Sequence, residues 1–241
     1  SNLSFLTSAM SEFQLLILTV LSISAVYTFS GPDHYLPFIV LSRSKKWTLN
    51  KTLFWTSLCG IAHVLSSVLL GIIGIFLGWS IKQTFHIEEI RGGFAAWMLL
   101  GFGILYLLYA VYSLNKNKIH KHFDASEEGE IYVFEHQHGQ NITSNKKYKV
   151  TPWVMFFIFA SGPSEPMIPL IIYPSVHYSL NEVGILILLY TFSTVLTMVL
   201  MVLLGYFGAH LFNFKNYEKY LETISASIIL VCGIGMVFLE W

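Results

Sequence analysis

The stretch Gly31-Pro32-Asp33-His34 interrupts the first long apolar run of the sequence, and Gly162-Pro163-Ser164-Glu165 interrupts the fourth. Each stretch joins a helix-breaking Gly-Pro pair to an acidic side chain, and these are the only acids expected within apolar segments. A charged side chain at the bilayer centre costs about 2.5–3.5 kcal/mol on insertion scales, so it usually faces a cavity, a partner or an ion. The two stretches are therefore the predicted centre of the molecule, with the rest as scaffold.

The composition is that of a polytopic membrane protein. Of the 241 residues, 54% are hydrophobic and only 12% are charged, and the mean hydropathy is +0.61, which is too apolar for a soluble domain. A net charge of zero argues against nucleic acid as a partner, because phosphate binding needs a basic surface. Membrane lipid is the expected surrounding. Cys59 and Cys232 lie in apolar segments without a Cys-x-x-Cys pair, so we expect neither a disulfide framework nor a thiol relay.

Six apolar segments are long enough to cross a bilayer, whose core of about 30 Å needs roughly 20 helical residues. They span residues 13–41, 52–79, 92–114, 152–174, 183–209 and 220–239. Pro32 is expected to end the first helix and leave a short second half, since proline has no N–H and clashes with the preceding turn. Pro163, Pro166 and Pro169 are expected to exclude a regular helix from the middle of the fourth. Irregular backbone at that depth persists only where protein or a watery cavity covers it.

Basic residues fix the predicted orientation. Twelve Lys and Arg residues lie in the loops 42–51, 115–151 and 210–219, whereas only Lys82 and Arg91 fall on the other side. The positive-inside rule makes the first set of loops cytoplasmic and places both termini outside. A bacterial inner membrane is the expected location.

The predicted fold class is all-α, with six transmembrane helices arranged as two inverted three-helix repeats in which helices 1 and 4 are broken. Residues 1–114 form the N-terminal repeat, 115–151 a His-rich cytoplasmic loop, and 152–241 the C-terminal repeat. An odd number of segments per half inserts the second half upside down, as in many transporters. A homo-oligomer is compatible with this plan.

The polar loop contains two His-x-His pairs among five carboxylates. The imidazoles belong to His120, His122, His136 and His138. Such a cluster could collect Ni²⁺, Co²⁺ or Zn²⁺. The alternative is a solvated linker without a metal site.

The candidate metal ligands within the membrane are Asp33, His34, His63 and Glu165. Two carboxylates and two imidazoles suit a divalent first-row cation, and two negative charges disfavour an anion. Polar residues expected to line the same site are Thr28, Ser67, Ser164 and Thr194. The competing structural interpretations are an acid–His ion pair that locks the bundle, and hydroxyl groups that only join helices. The same groups could also couple transport to protons.

Gly31-Pro32-Asp33-His34, followed by the stretch Gly-Ile-Ala-His-Val-Leu-Ser-Ser at residues 60–67, resembles the nickel/cobalt transporter group. The likeness is to its UreH-like and NicO branches, which are related to TauE/SafE-type exporters. It implies that Asp33 and His34 end a His-x4-Asp-His signature and that His63 is the second-helix ligand. The leading His of the signature is Thr28 here, so the resemblance implies a divalent cation without singling out nickel.

These observations predict a transporter that moves a divalent transition metal (Ni, Co or Zn) by alternating access, and no enzymatic activity. One alternative is an intramembrane zinc-dependent hydrolase, although no helix carries a clustered ligand pair and no nucleophile is positioned. The other is a small-anion exporter of the sulfite type. An anion site would call for a basic residue in the cavity, and the six predicted segments contain no Lys or Arg.

Overall fold

A computed structural model describes residues 11–116, 150–164, 166–211 and 220–239. The regular structure of these residues is entirely helical. The α-helices are α1 (Glu12–Ser30), α2 (Leu36–Ser44), α3 (Leu49–Phe76), α4 (Ile81–Lys116), α5 (Val150–Ser161), α6 (Met167–His177), α7 (Leu180–Leu211) and α8 (Leu221–Phe238), with a 3₁₀ turn, Pro32–His34, between α1 and α2.

The first apolar segment is broken at Gly31, as predicted. Helix α1 ends at Ser30, and the Gly31 N–H donates to the Tyr27 carbonyl at 3.2 Å. Pro32 then opens the 3₁₀ turn, because it has no N–H to donate to the Thr28 carbonyl one turn earlier. The break therefore leaves a backbone acceptor without its helical donor, next to Asp33 and His34.

The fourth apolar segment is also broken, and its two halves are α5 and α6. The chain between them contains Gly162, Pro163 and Ser164, and α6 begins after Pro166. Pro169 lies in the first turn of α6, where its missing N–H would have no intrahelical acceptor. The expectation that all three prolines of this segment avoid regular helix is therefore wrong for Pro169.

The third predicted membrane segment starts earlier than expected. It corresponds to α4, which begins at Ile81. The residues from Ile81 onward that were assigned to an outside loop are therefore helical, and both Lys82 and Arg91 lie on α4. Ser80 and Gln83 explain this start, because the Gln83 N–H donates to Ser80 Oγ at 3.3 Å and the Ser80 N–H donates to Gln83 Oε1 at 2.8 Å. This reciprocal pair is a capping box, which satisfies N–H groups that the first turn leaves free.

The surface of the described residues is that of a membrane protein. Five helices are long and apolar enough to cross a membrane, namely α1, α3, α4, α7 and α8, and α5 and α6 are shorter apolar helices. Large apolar side chains such as Val26, Phe76, Leu105 and Leu188 are exposed. Water would disfavour such a surface, whereas lipid tails solvate it. The prediction of an all-α membrane protein is confirmed.

Helices α4 and α8 pack with their backbones in contact behind the broken segments. A Cβ atom added to Gly103 would lie 2.7 Å from Leu230 Cα, and one added to Gly233 would lie 2.6 Å from Leu100 Cα. Small residues allow this close approach, on which helix packing in lipid depends. Ala95 and Leu99 of α4 and Met236 of α8 line a cavity between the two breaks.

Candidate metal site

The first helix break presents Asp33 and His34 to the interior. Both side chains lie on the 3₁₀ turn and are buried, with 8% and 5% of their surface exposed. His34 Nδ1 lies 3.0 Å from the Gly31 carbonyl oxygen and 3.4 Å from Asp33 Oδ1. Because a carbonyl oxygen can only accept, His34 Nδ1 carries the hydrogen and Nε2 carries the lone pair.

His63 is held by the second break in the same manner. It lies in α3, is 5% exposed, and its Nδ1 is 3.2 Å from the Phe159 carbonyl oxygen. In an uninterrupted helix that oxygen would accept from the N–H of residue 163, which is a proline without one. The freed carbonyl accepts instead from Gly162 N at 3.0 Å and from His63. His63 Nε2 is thus also left with its lone pair available.

Three residues with potential ligand atoms, two on the first break and one on α3, line one cavity. The rings of His34 and His63 are 5.2 Å apart between centroids and perpendicular to each other, at 89°. His34 Nε2, His63 Nε2 and Asp33 Oδ1 are buried without a hydrogen-bond partner among the described residues. The volume of the cavity within which the centre of a water molecule can move is about 40 Å³. One water needs roughly 10–15 Å³ of such volume, so the cavity has room for a partly hydrated cation. Its other walls include Tyr27, Leu99, Ile158, Phe159 and Met236.

The polar atoms of these three side chains need partners that the described residues do not supply. Leaving a buried polar group unsatisfied costs about 1–3 kcal/mol, so three such atoms call for water or a ligand in the cavity. A metal-binding His commonly donates its other ring N–H to a backbone carbonyl, and both imidazoles do so here. Within the described ranges, however, no three His, Cys, Asp or Glu residues form a group that could hold a metal ion. Asp33, His34 and His63 are therefore not by themselves a metal-binding group in the arrangement described.

The remaining predicted site residues fall into three groups. Glu165 and the loop histidines His120, His122, His136 and His138 lie outside the described residues. Thr28 and Thr194 are buried, and their hydroxyl groups have no partner in the described part of the chain. Ser67 and Ser164 contact each other beside the cavity: the Ser164 N–H donates to Ser67 Oγ at 3.0 Å. The structure thus brings together Asp33, His34 and His63 as the potential ligands.

Two charged residues beside the site, Glu88 and Arg91, did not emerge from the sequence. Glu88 is wholly buried, at 0% exposed, and its Oε1 accepts from Arg91 Nη2 at 2.9 Å. Two expectations are therefore wrong: the Gly-Pro stretches do not hold the only acids within candidate membrane helices, and a basic residue does lie within such a helix. The available signals were the capping box at Ser80 and the spacing of an acid and a base three residues apart, which places them on one helix face.

Comparison of the chain with models of known protein families, with curated proteins and with solved structures found no match. Function therefore has to be inferred from the chemistry of the site.

Proposed function

We propose that this protein is a membrane transporter for a divalent transition-metal cation of the Ni²⁺, Co²⁺ and Zn²⁺ class, with Asp33, His34 and His63 as its transit site. One observation carries the proposal. Two imidazole Nε2 atoms and one carboxylate oxygen are buried around a single cavity without partners among the described residues, while both imidazoles are oriented by backbone carbonyls.

The ligand types support this class of cation. Imidazole nitrogen suits borderline ions such as Zn²⁺, Co²⁺ and Ni²⁺, whereas Mg²⁺ and Ca²⁺ prefer oxygen alone. The Asp33 carboxylate supplies negative charge in a site that excludes most water, where its attraction for a cation is strong. An ion in transit must also leave, so an incomplete ligand set favours transport over storage. Glu165, next to the second break, is the proposed fourth ligand.

The proposed architecture has six membrane-spanning segments, in which α1 with α2 and α5 with α6 are the broken ones. Three segments in each half would make the halves inverted repeats, with breaks that meet near the midplane. The distribution of Lys and Arg supports external termini in a bacterial inner membrane. Both breaks contribute to one cavity, as such a plan requires.

Arg91 does not favour the anion alternative. Its guanidinium is paired with Glu88, and neither residue is among those lining the cavity. An anion would therefore meet the Asp33 carboxylate without a compensating positive side chain among the described lining residues.

The test is metal flux through the full chain reconstituted in liposomes that contain a metal-sensitive fluorescent chelator. Ni²⁺, Co²⁺ and Zn²⁺ would each be added outside, with K⁺ and sulfite as comparison ions. Asp33→Asn removes the negative charge of the carboxylate and His63→Ala removes the imidazole, and we expect both to abolish the flux seen with the unaltered chain. Glu89→Gln is the matched control, because Glu89 is an exposed carboxylate on α4 whose side chain is 80% exposed.

Wild-type flux of at least one of the three metals, lost in both ligand variants and kept in Glu89→Gln, supports the proposal. Flux that persists in Asp33→Asn, or no flux of any of the three metals in either direction of the gradient, overturns it. Sulfite flux in place of metal flux would establish the anion alternative.

A further inference from the structure

The backbone at the second helix break is held by side chains from two other helices. Arg91 Nη2 donates to the Gly162 carbonyl at 2.8 Å, and Glu88 Oε1 accepts from the Ser164 N–H at 3.0 Å. Both residues come from α4, one turn apart. Backbone carbonyl and N–H groups at a helix break lack helical partners, and leaving them unpaired in lipid is costly. The pair thus satisfies one acceptor and one donor of the interrupted chain.

Ser67 of α3 completes the network. Its hydroxyl donates to Glu88 Oε1 at 2.5 Å and accepts from Arg91 Nη2 at 2.7 Å and from Ser164 N at 3.0 Å. Glu88 Oε2 has no hydrogen-bond partner among the described residues, so Oε1 accepts all the hydrogen bonds that the carboxylate makes with these residues. We call Ser67, Glu88 and Arg91 the clamp.

The clamp lies close to His63 along both chain segments that hold this histidine. Ser67 is four residues after His63 on α3, which places the two side chains on the same helix face. Gly162 is three residues after Phe159, whose carbonyl accepts from His63 Nδ1. A Cβ added to Gly162 would lie 3.0 Å from His63 Nδ1, so the break and the imidazole are in close contact.

From this geometry we infer that the clamp positions His63: by fixing the second break, it keeps the Phe159 carbonyl against Nδ1 and so leaves Nε2 as the nitrogen with an available lone pair. If the break moved, Nδ1 would lose its acceptor and the hydrogen could reside on either nitrogen. An imidazole with its hydrogen on Nε2 cannot bind a cation through that atom. The consequence for metal binding rests on the proposed function, whereas the consequence for the tautomer does not.

The pairing of Glu88 with Arg91 also has an electrostatic role. Arg91 contacts the carbonyl of Gly162, which lines the cavity, and an uncompensated guanidinium there would repel a cation. Glu88 cancels this charge at 2.9 Å. The clamp therefore anchors the break without making the cavity less attractive to a cation.

The test combines a readout without metal and a readout with Co²⁺ on the full chain in lipid nanodiscs. Nitrogen-15 NMR of histidine-labelled protein reports which ring nitrogen of His63 carries hydrogen, with the signal assigned by its loss in His63→Gln. Co²⁺ titration followed by visible absorption reports affinity and coordination. Ser67→Ala weakens the clamp while leaving the ion pair, and Glu88→Gln removes the charge balance.

The matched control is Ser66→Ala, because the Ser66 hydroxyl donates only within its own helix, to the His63 carbonyl at 2.7 Å. We expect wild type and Ser66→Ala to show hydrogen on Nδ1 alone. Ser67→Ala and Glu88→Gln should populate the other tautomer and lower Co²⁺ affinity about 10–100-fold, the usual effect of losing a residue that orients a metal ligand. Arg91→Lys, which keeps the charge, should retain more affinity than Glu88→Gln.

An unchanged tautomer in both clamp variants overturns the inference, whatever the metal data show. A shifted tautomer in a chain that binds no Co²⁺ even as wild type supports the clamp and rejects Co²⁺ as the cation of the proposed function. Co²⁺ binding that falls equally in Ser66→Ala and Ser67→Ala would show a general effect on α3, and the positioning role would be rejected.

Discussion

The two helix breaks share a Gly-Pro pair and hold one imidazole each, but they differ in how their polar groups are satisfied. At the first break, Asp33 Oδ1 and His34 Nε2 have no hydrogen-bond partner among the described residues. At the second, the Gly162 carbonyl and the Ser164 N–H are bonded to side chains of other helices. The first break therefore carries two potential ligands on its own turn, whereas the second is tied to neighbouring helices and orients His63 of α3.

This difference shows how one sequence device serves two purposes. Lipid supplies no hydrogen bonds, so a break in a membrane helix must be satisfied by protein or must line a cavity. The clamp takes the first route and the Asp33–His34 turn takes the second. Stability should therefore respond mainly to substitutions at the second break, whereas metal binding should respond to both breaks, directly at the first and through the position of His63 at the second.

The largest expected effect is on stability, from Arg91→Ala at the second break. This variant leaves Glu88, at 0% exposure, as a buried carboxylate without its counter-charge. Breaking a buried ion pair in this way costs about 3–5 kcal/mol. The measurement is the free energy of unfolding by denaturant in detergent micelles, compared with that of wild type.

The double variant Glu88→Gln/Arg91→Met separates the loss of pairing from the loss of contacts. Because it removes both charges, it should recover much of the stability lost in Arg91→Ala, as replacement of whole buried ion pairs often does. If Arg91→Ala costs less than about 1 kcal/mol, the value typical of an exposed ion pair, then the second break is not clamped and the contrast between the breaks disappears.

An intermediate effect is expected from alanine at the glycine of each break. A Cβ at Gly31 would collide with the His34 ring and lie 2.9 Å from Asp33 Oδ1, whereas a Cβ at Gly162 would approach His63 Nδ1 only to 3.0 Å. Gly31→Ala should therefore cost about 1–3 kcal/mol, as overpacking usually does. Gly162→Ala should fall at the lower end of that range, about 1 kcal/mol.

Both glycine variants would be compared by the same unfolding measurement and by Co²⁺ titration. The backbone of Gly31 has φ of −92°, which any residue can adopt, so the cost arises from contact and not from backbone strain. Gly31→Ala should also weaken Co²⁺ binding more than Gly162→Ala, since its Cβ meets a ligand ring more closely than the Cβ of Gly162→Ala meets His63. Equal losses in the two variants would contradict this ranking of the two contacts.

The sequence was sufficient for features that depend on local chemistry. Pro32 and Pro163 remove specific N–H groups, so both breaks could be predicted, and Asp33, His34 and His63 stood out as polar groups in apolar runs. Their convergence on one cavity follows from those two breaks. Local rules also explain the error at Pro169, because the first turn of a helix tolerates a residue without an N–H.

The clamp was missed because its residues acquire their meaning only from tertiary contacts. Because the first turns of α4 are charged, averaged hydropathy places the start of the predicted segment too late in the sequence. The capping box at Ser80 marks the true start of the helix. No sequence spacing relates Glu88 or Arg91 to Gly162, which lies 71 residues beyond Arg91 in the chain. Such a pairing depends on how helices pack, and that is not encoded in a local pattern.

The smallest expected effect on stability, and the sharpest test of the contrast, is Asp33→Asn in metal-free protein. The Asp33 carboxylate is 8% exposed, and its Oδ1 has no hydrogen-bond partner among the described residues, only a 3.4 Å contact with His34 Nδ1. Neutralising it therefore removes a desolvation cost and weakens at most that one contact. Unfolding in detergent micelles with a chelator present should give a free energy equal to that of wild type or up to about 1 kcal/mol higher. A free energy of unfolding lower than that of wild type by more than about 1 kcal/mol would mean that a partner holds the carboxylate in place. The first break would then stabilise the fold, as the second does.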